Sequence, residues 1–205
     1  MADKMGNTLF GRKENTDTNK KENTLLSSLH DLVFLVAGVL LAFSLLFRVV
    51  VVDGPSMNNT LVDGDWLLLI GNVIYQDPKP GDIIVASKDS FDDGAPIIKR
   101  VIATEGQEVN IDFGAGIVYV DGVALEEDYT LTPTTLYEGV DFPLTVDEGC
   151  VFVMGDNRGK SKDSRSKDIG LIDKREILGR AVFLILPGNN GGKVERKFYR
   201  IGVLS

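Results

Sequence analysis

Hydrophobic positions fall into two regimes along this chain. From Leu32 to Phe47, 16 residues (LVFLVAGVLLAFSLLF) run without a charge, and Arg48 and four valines follow. The run is apolar on every side, unlike the one-sided stripe of a core helix. Counted from Leu32 to Val52 it holds 21 residues, and a helix of that length spans ~31 Å, about the hydrocarbon thickness of a bilayer. The pattern predicts a membrane-spanning helix over 30–52, with Arg48 snorkelling to the headgroups near its end. The exit, FRVVVVDG, lacks the small-x-small site of a cleaved signal peptide. Ahead of the run, residues 1–24 are polar and rich in Asn, Thr and Lys. That composition predicts a disordered tail over 1–29.

After residue 60 the apolar runs are short and alternate with turn signals. DWLLLI, DIIVAS, IIKRVIAT, EVNI, GIVYVDGVAL, CVFVMG and ILGRAVFLILP read as strands, bounded by VDGD, DPKPGD, FDDGAP, DFGAG and PGNNGG. Asp121-Gly122 between alternating residues is a hairpin signal. DKREIL reads as a single turn or short helix, and the basic, amphipathic KVERKFYRIGVLS as a last strand or a frayed tail. The expected fold is mainly β: an antiparallel sheet or partly open barrel over 53–205, behind one N-terminal transmembrane helix.

Charge adds orientation. Residues 1–52 carry 6 Lys/Arg against 5 Asp/Glu, and residues 53–205 carry 16 against 25. An acidic body argues against nucleic acid as a partner. Lys4, Arg12, Lys13, Lys20 and Lys21 precede the apolar run, while only Arg48 follows before residue 79. The positive-inside rule then puts the N-terminus in the cytoplasm and the β domain outside, as a single-pass protein of the cell membrane. Cys150 is the only cysteine and His30 the only histidine. No intramolecular disulfide is possible, the common zinc sites are excluded, and no metal or cofactor is expected.

The candidate chemistry starts at VVVDGPSMNNTL, where Ser56 sits in a tight Gly-Pro-Ser setting. A serine nucleophile needs a base. His30 lies across the expected membrane span, which excludes a Ser-His-Asp triad within one chain, and the Gly-x-Ser-x-Gly elbow is absent because position 58 is Asn. Serine also pairs with lysine. A lysine is useful as a base only when apolar burial disfavours its ammonium. Among the lysines of the body only Lys99 is embedded in a β-branched run, PIIKRVIAT. Lys99 and Arg100 face opposite sides of a strand, one inward and one outward. Two readings stand at this point: a buried base, or an edge strand whose two charges face solvent and blunt aggregation. A second polar cluster, VFVMGDNRGKSKDSR, reads either as a solvated hairpin loop or as a hydrogen-bonded wall that orients a neighbour.

Together, GPSMNNTL, KRVIATEG and VMGDNRGKSKDSR resemble the bacterial type I signal peptidases, membrane-anchored serine-lysine endopeptidases. DGDWLLL, PGDIIV and GLIDKREILGRAVFLILP are similar to the strands between and after these segments. The resemblance covers about residues 30–187. It implies an endopeptidase that removes N-terminal signal peptides from exported preproteins at the outer membrane surface. Ser56 would be the nucleophile and Lys99 the general base. Ser161 would orient the lysine amine, and Asp163 and Arg165 would form a supporting ion pair with Arg100 nearby. The Ser56 backbone N–H would serve the oxyanion hole, and Met57, Gly54 and Pro55 would contact substrate. Gly54 stands where some members carry a serine, so only backbone oxyanion donors are expected. The segment between Lys99 and Gly155 is short, which implies a small β extension around 106–149. The implied partners are signal peptides and the lipid bilayer; whether the translocon is a neighbour stays open. Two rivals are kept: a self-cleaving repressor-like serine-lysine peptidase, and a catalytically dead tethered binding module.

Overall fold

The structure is a computed structural model that describes residues 7–89, 91–192 and 195–204. The chain divides into two compact units, a helical one up to Ser44 and a β domain from Leu45.

Helix α1 (Asn7–Leu46) contains a span, Leu26–Leu46, of 21 residues with mean hydropathy 2.2, long and apolar enough to cross a membrane. Three expectations are corrected here. The helix does not run to residue 52: Phe47–Val51 form strand β1. Four consecutive β-branched residues favour a pleated surface over a helix. Their apolarity serves the sheet and the core, where Val52 is 4% exposed. Arg48, expected to snorkel from the helix end, is instead an exposed strand residue opposite Leu69. The polar stretch from Asn7 continues the helix rather than lying unstructured. Once the apolar segment has nucleated a helix, extending it through the polar stretch adds one hydrogen bond per residue fixed. Residues 1–6 of the expected tail lie outside the described residues.

The β domain holds β2 (Trp66–Gly71), β3 (Ile83–Ala86), β4 (Ile97–Thr104), β5 (Glu108–Asp112), β6 (Ile117–Val120), β7 (Val123–Ala124), β8 (Leu144–Thr145), β9 (Cys150–Met154), β10 (Ile172–Asp173), β11 (Ile177–Leu186) and β12 (Gly202–Val203). The larger sheet runs β1-β2-β11-β3-β4-β9-β10, entirely antiparallel, and curls into a half-barrel. The antiparallel, mainly β expectation therefore holds. Long β11 serves as the spine. Its first half pairs with β3, and β12 takes the edge that β3 leaves free, at Phe183 and Leu184. The C-terminal segment is thus a last strand. Gly179 permits the crowding where β2 and β3 flank β11, since a Cβ there would meet the Ile70 carbonyl at 2.3 Å.

The smaller sheet runs β7-β6-β5-β8. Its hairpin turns on Asp121 and Gly122, with φ of 51° and 77°, the positive values that a two-residue turn requires. DKREIL forms a 3₁₀ turn at Lys174–Glu176, capped by Asp173.

Three apolar clusters fill the domain. Met57, Leu61, Leu67 and Leu184 belong to one; Ile102, Val109, Val118 and Phe152 to a second; Ile84, Val101, Val153 and Ile177 to a third. Strand β4 contributes Val101 to the third and Ile102 to the second, so both of its faces are covered. Phe152 is fully buried where the two sheets meet, 5.9 Å edge-on from Phe142. Phe152→Ala is expected to cost about 3–5 kcal/mol through the cavity it leaves, read as a lower urea midpoint with unchanged slope.

Candidate active site

The loop between β1 and β2 carries Ser56, and the packing beneath it explains why the loop holds its shape. Met57 is 1% exposed and sits in the first core cluster with Val52 and Leu61. This corrects the expectation that Met57 contacts substrate: its side chain points into the core and anchors the loop. Gly54 and Pro55 do face a cleft, of about 450 Å³, which Asn58 and Lys160 also line.

Two polar clamps hold the loop from outside. Asn157 N–H donates to the Ser56 carbonyl at 2.9 Å, and Asn157 Nδ2 donates to the Pro55 carbonyl at 3.0 Å. At the loop's far end Asp65, fully buried, accepts from Val62 N at 2.8 Å, from Gly188 N at 2.6 Å, and from Arg200 at 2.9 and 2.7 Å. Arg200 also donates to the Thr60 carbonyl at 3.0 Å. Sequence reasoning missed this pair. The only signal was a basic C-terminal stretch without an evident partner.

Lys99 is brought to Ser56 from β4. Its Nζ lies 3.1 Å from Ser56 Oγ and donates to the Ile98 carbonyl at 3.0 Å. The lysine is 5% exposed and Arg100 3%. The expectation that one of the pair points outward is corrected, because a central strand between β3 and β9 is covered on both faces. Burial pushes the Lys99 amine down to about 8; the Asp163, Asp156 and Glu138 carboxylates pull against that shift, and Arg165 adds to it.

The loop after β9 forms the far wall. Asp163 and Arg165, both fully buried, make a two-pronged ion pair at 2.8 Å on each prong. Asp163 also accepts from Gly155 N at 3.0 Å, and Arg165 donates to the Arg158 and Ser161 carbonyls. Arg100 does not join this pair. It grips Asp156 at 3.0 and 2.9 Å and stacks on the Tyr129 ring at 4.1 Å. Asp156 in turn accepts from the Thr60 hydroxyl on the nucleophile loop. Arg158, 1% exposed, reaches out to Glu127 and Thr134 on the segment joining β7 to β8. Ser161 is 2% exposed and its Oγ has no hydrogen-bond partner among the described residues. The expected bond from Ser161 to the lysine amine is therefore not made, although the hydroxyl does face the site. A Cβ on Gly155 would lie 2.2 Å from Ser161 Oγ and 2.5 Å from the Ser56 carbonyl, so only glycine lets the loops meet this closely. The Ser56 N–H has no acceptor among the described residues.

The model of the family "Signal peptidase, peptidase S26" matches residues 25–186. The chain is 35% identical to a signal peptidase I of Bacillus licheniformis, over 89% of this chain and 99% of that one. It is 38% identical to a probable signal peptidase I-1 of Synechocystis, over 76% and 82%. A crystal structure of a signal peptidase I from Enterococcus faecalis aligns at TM-score 0.41 and 32% identity, over 51% of this chain and 96% of that one. The family match makes the chain a peptidase by class. The chain belongs to the S26 family of signal peptidases.

Two predictions follow from the buried charges. Lys99 titrates near 8 when folded and near its ordinary 10.5 when unfolded. Between those values the unfolded chain binds more protons, so this group makes stability rise with pH there and is unfavourable below 8. Lys99→Met should raise the melting temperature at pH 7, and the gain should shrink as pH climbs from 8 to about 10.5. Asp163→Asn leaves the buried Arg165 guanidinium without its main counter-charge and should cost about 3–5 kcal/mol, measured by urea unfolding.

Proposed function

We propose that this protein removes N-terminal signal peptides from exported preproteins, with Ser56 as nucleophile and Lys99 as general base. The observation that carries the reading is the 3.1 Å contact between a serine hydroxyl and a lysine amine that burial pushes down to about 8. At pH 7 an ordinary lysine is neutral in roughly 0.04% of molecules, whereas one titrating near 8 is neutral in roughly 9%. Burial thus supplies a usable base where histidine would otherwise serve. The substrate class comes from the relatives, named as signal peptidases.

The neutral amine takes the Ser56 proton as the oxygen attacks the scissile carbonyl. The oxyanion that forms accepts from the uncommitted Ser56 N–H; Gly54 adds no hydroxyl, so a second donor would have to be backbone. Lys99, now charged, returns the proton to the leaving amine. The acyl-enzyme is hydrolysed when the neutral amine takes a proton from water, and serine is regenerated. Asp163, Arg165, Ser161 and Arg100 act as positioning residues. They hold the loop after β9 against Lys99 and Ser56, and the Ser161 hydroxyl is free to accept from or donate to the amine during turnover.

In this reading the span Leu26–Leu46 anchors the domain in the membrane, and the greater number of Lys and Arg ahead of it than just after it supports a cytoplasmic N-terminus with the β domain outside. Confinement to the surface where signal peptides emerge replaces part of the translational search.

The test is processing of one labelled preprotein by wild type, Ser56→Ala and Lys99→Ala, with the new N-terminus sequenced. Both variants should lose at least about a thousand-fold in kcat/KM. The wild-type profile should climb about tenfold per pH unit toward a limb near 8. Unaltered processing by Ser56→Ala would make the chain a binding module, and cleavage only of the chain itself would make it a self-processing peptidase.

A further inference from the structure

The segment joining β7 to β8, residues 125–143, lies across the loop after β9 as a strap. Leu131 N donates to the Asp156 carbonyl at 2.9 Å, Gly159 N to Thr132 Oγ1 at 3.1 Å, and Val140 N to the Arg165 carbonyl at 3.2 Å. Gly139 and Ser166 form a β-bridge. Between these contacts the strap inserts one acidic side chain, Glu138, which the mechanism above does not use.

Glu138 Oε2 lies 3.8 Å from Arg165 Nε, beyond hydrogen-bond reach, and the side chain is 16% exposed. That oxygen is buried and has no hydrogen-bond partner among the described residues. Arg165 Nε, the donor nearest Glu138, is already held by Asp163, and Nη2 is committed to Asp163 and to the Arg158 and Ser161 carbonyls. Glu138 is therefore a second carboxylate beside a guanidinium whose nearest donor is taken. A buried acceptor without a donor is costly, and a shape-filling apolar or amide residue would serve packing better. What the carboxylate supplies is charge, delivered beside the Asp163–Arg165 pair.

We propose that Glu138 is a positioning residue that acts through Arg165 to set the proton equilibrium of Lys99; the inference rests on the serine-lysine reading above. Asp163 and Arg165 by themselves are a neutral pair. Ionised Glu138 makes the group net negative and favours the Lys99 ammonium. Protonated Glu138 leaves the pair balanced and frees the amine to act as base. The charges around Glu138 are Asp163, Arg165, Lys162 and Asp168 on the loop after β9. Those around Lys99 are Asp163, Arg165, Asp156 and Glu138. Burial, and after it Asp163, push the Glu138 carboxyl above its ordinary value. The strap thereby couples a proton on the smaller sheet's connection to the base on β4.

The experiment is the pH profile of kcat/KM on a preprotein peptide, using the full chain in detergent micelles. Wild type, Glu138→Gln, Glu138→Asp and Lys99→Ala are compared, with melting temperatures measured alongside. Glu138→Gln keeps the shape and removes the charge. Its rising limb should move about half a pH unit lower, giving about threefold more activity on the limb and an unchanged alkaline plateau. Glu138→Asp draws the charge back from Arg165 and should move the limb part of the way, which also tests the idea should the Gln variant not fold. An unmoved limb, an upward shift, or a lowered plateau at an unmoved limb would overturn the inference and leave only a packing role. Processing that survives Lys99→Ala would instead sink the serine-lysine reading, whatever Glu138 does.

Discussion

Under the proposed serine-lysine chemistry one constraint organises the β domain: an amine that water would keep charged must lie, stripped of water, beside a hydroxyl that substrate can reach. The two halves conflict. Burial of Lys99 needs covered faces, whereas Ser56 needs an open one. The fold resolves this by taking the lysine from the middle of a central strand and the serine from a loop at the rim of the same sheet. The contact forms at the boundary between core and cleft. Proximity alone would be of little use, because an exposed lysine at the same distance would stay protonated.

Such a contact must be held by something stiffer than a loop. The chain uses paired buried charges for this. Arg100 with Asp156, Arg165 with Asp163, and Arg200 with Asp65 each fix a different stretch of backbone: strand to loop, loop to itself, and C-terminal segment to nucleophile loop. Buried ion pairs add little net stability over well-packed apolar side chains, yet losing one partner is severe. Their use so near the site fits a demand for geometry rather than for free energy. Gly155 fits the same demand, since it lets the loop after β9 touch the Ser56 carbonyl. The smaller sheet then has a purpose beyond its own hairpin. Through Arg158, Tyr129 and the strap, it braces the wall behind Lys99.

Much of this was legible residue by residue. The strands announced themselves by short apolar runs between Gly, Pro and Asp clusters, and the Asp121-Gly122 turn by its dipeptide. Lys99 stood out because it alone among the lysines of the body sits in a β-branched run. The chemistry of a base demands such a setting, so the proposed role and the local sequence coincide there. The helix end was misjudged for an equally local reason. Apolarity over Phe47–Val52 does not distinguish lipid from protein interior, and only the pairing of β1 with β2 decides between them.

What the sequence determined by itself was therefore whatever is encoded over a few neighbouring positions: the anchor's hydrophobicity, the strand content, the turn, and the β-branched setting that marks Lys99 as a candidate base. Tertiary structure alone decided which charges meet. Arg200 lies 135 residues from Asp65, Arg100 is 56 from Asp156, and Glu138 is brought to Arg165 by a strap whose course no local pattern specifies. It also decided that Met57 faces the core and that the Ser161 hydroxyl makes no bond to the amine. The physical reason is one of range. Propensity and periodicity act between neighbours along the chain, whereas Coulomb attraction, desolvation and packing act between whatever the fold brings within a few ångströms.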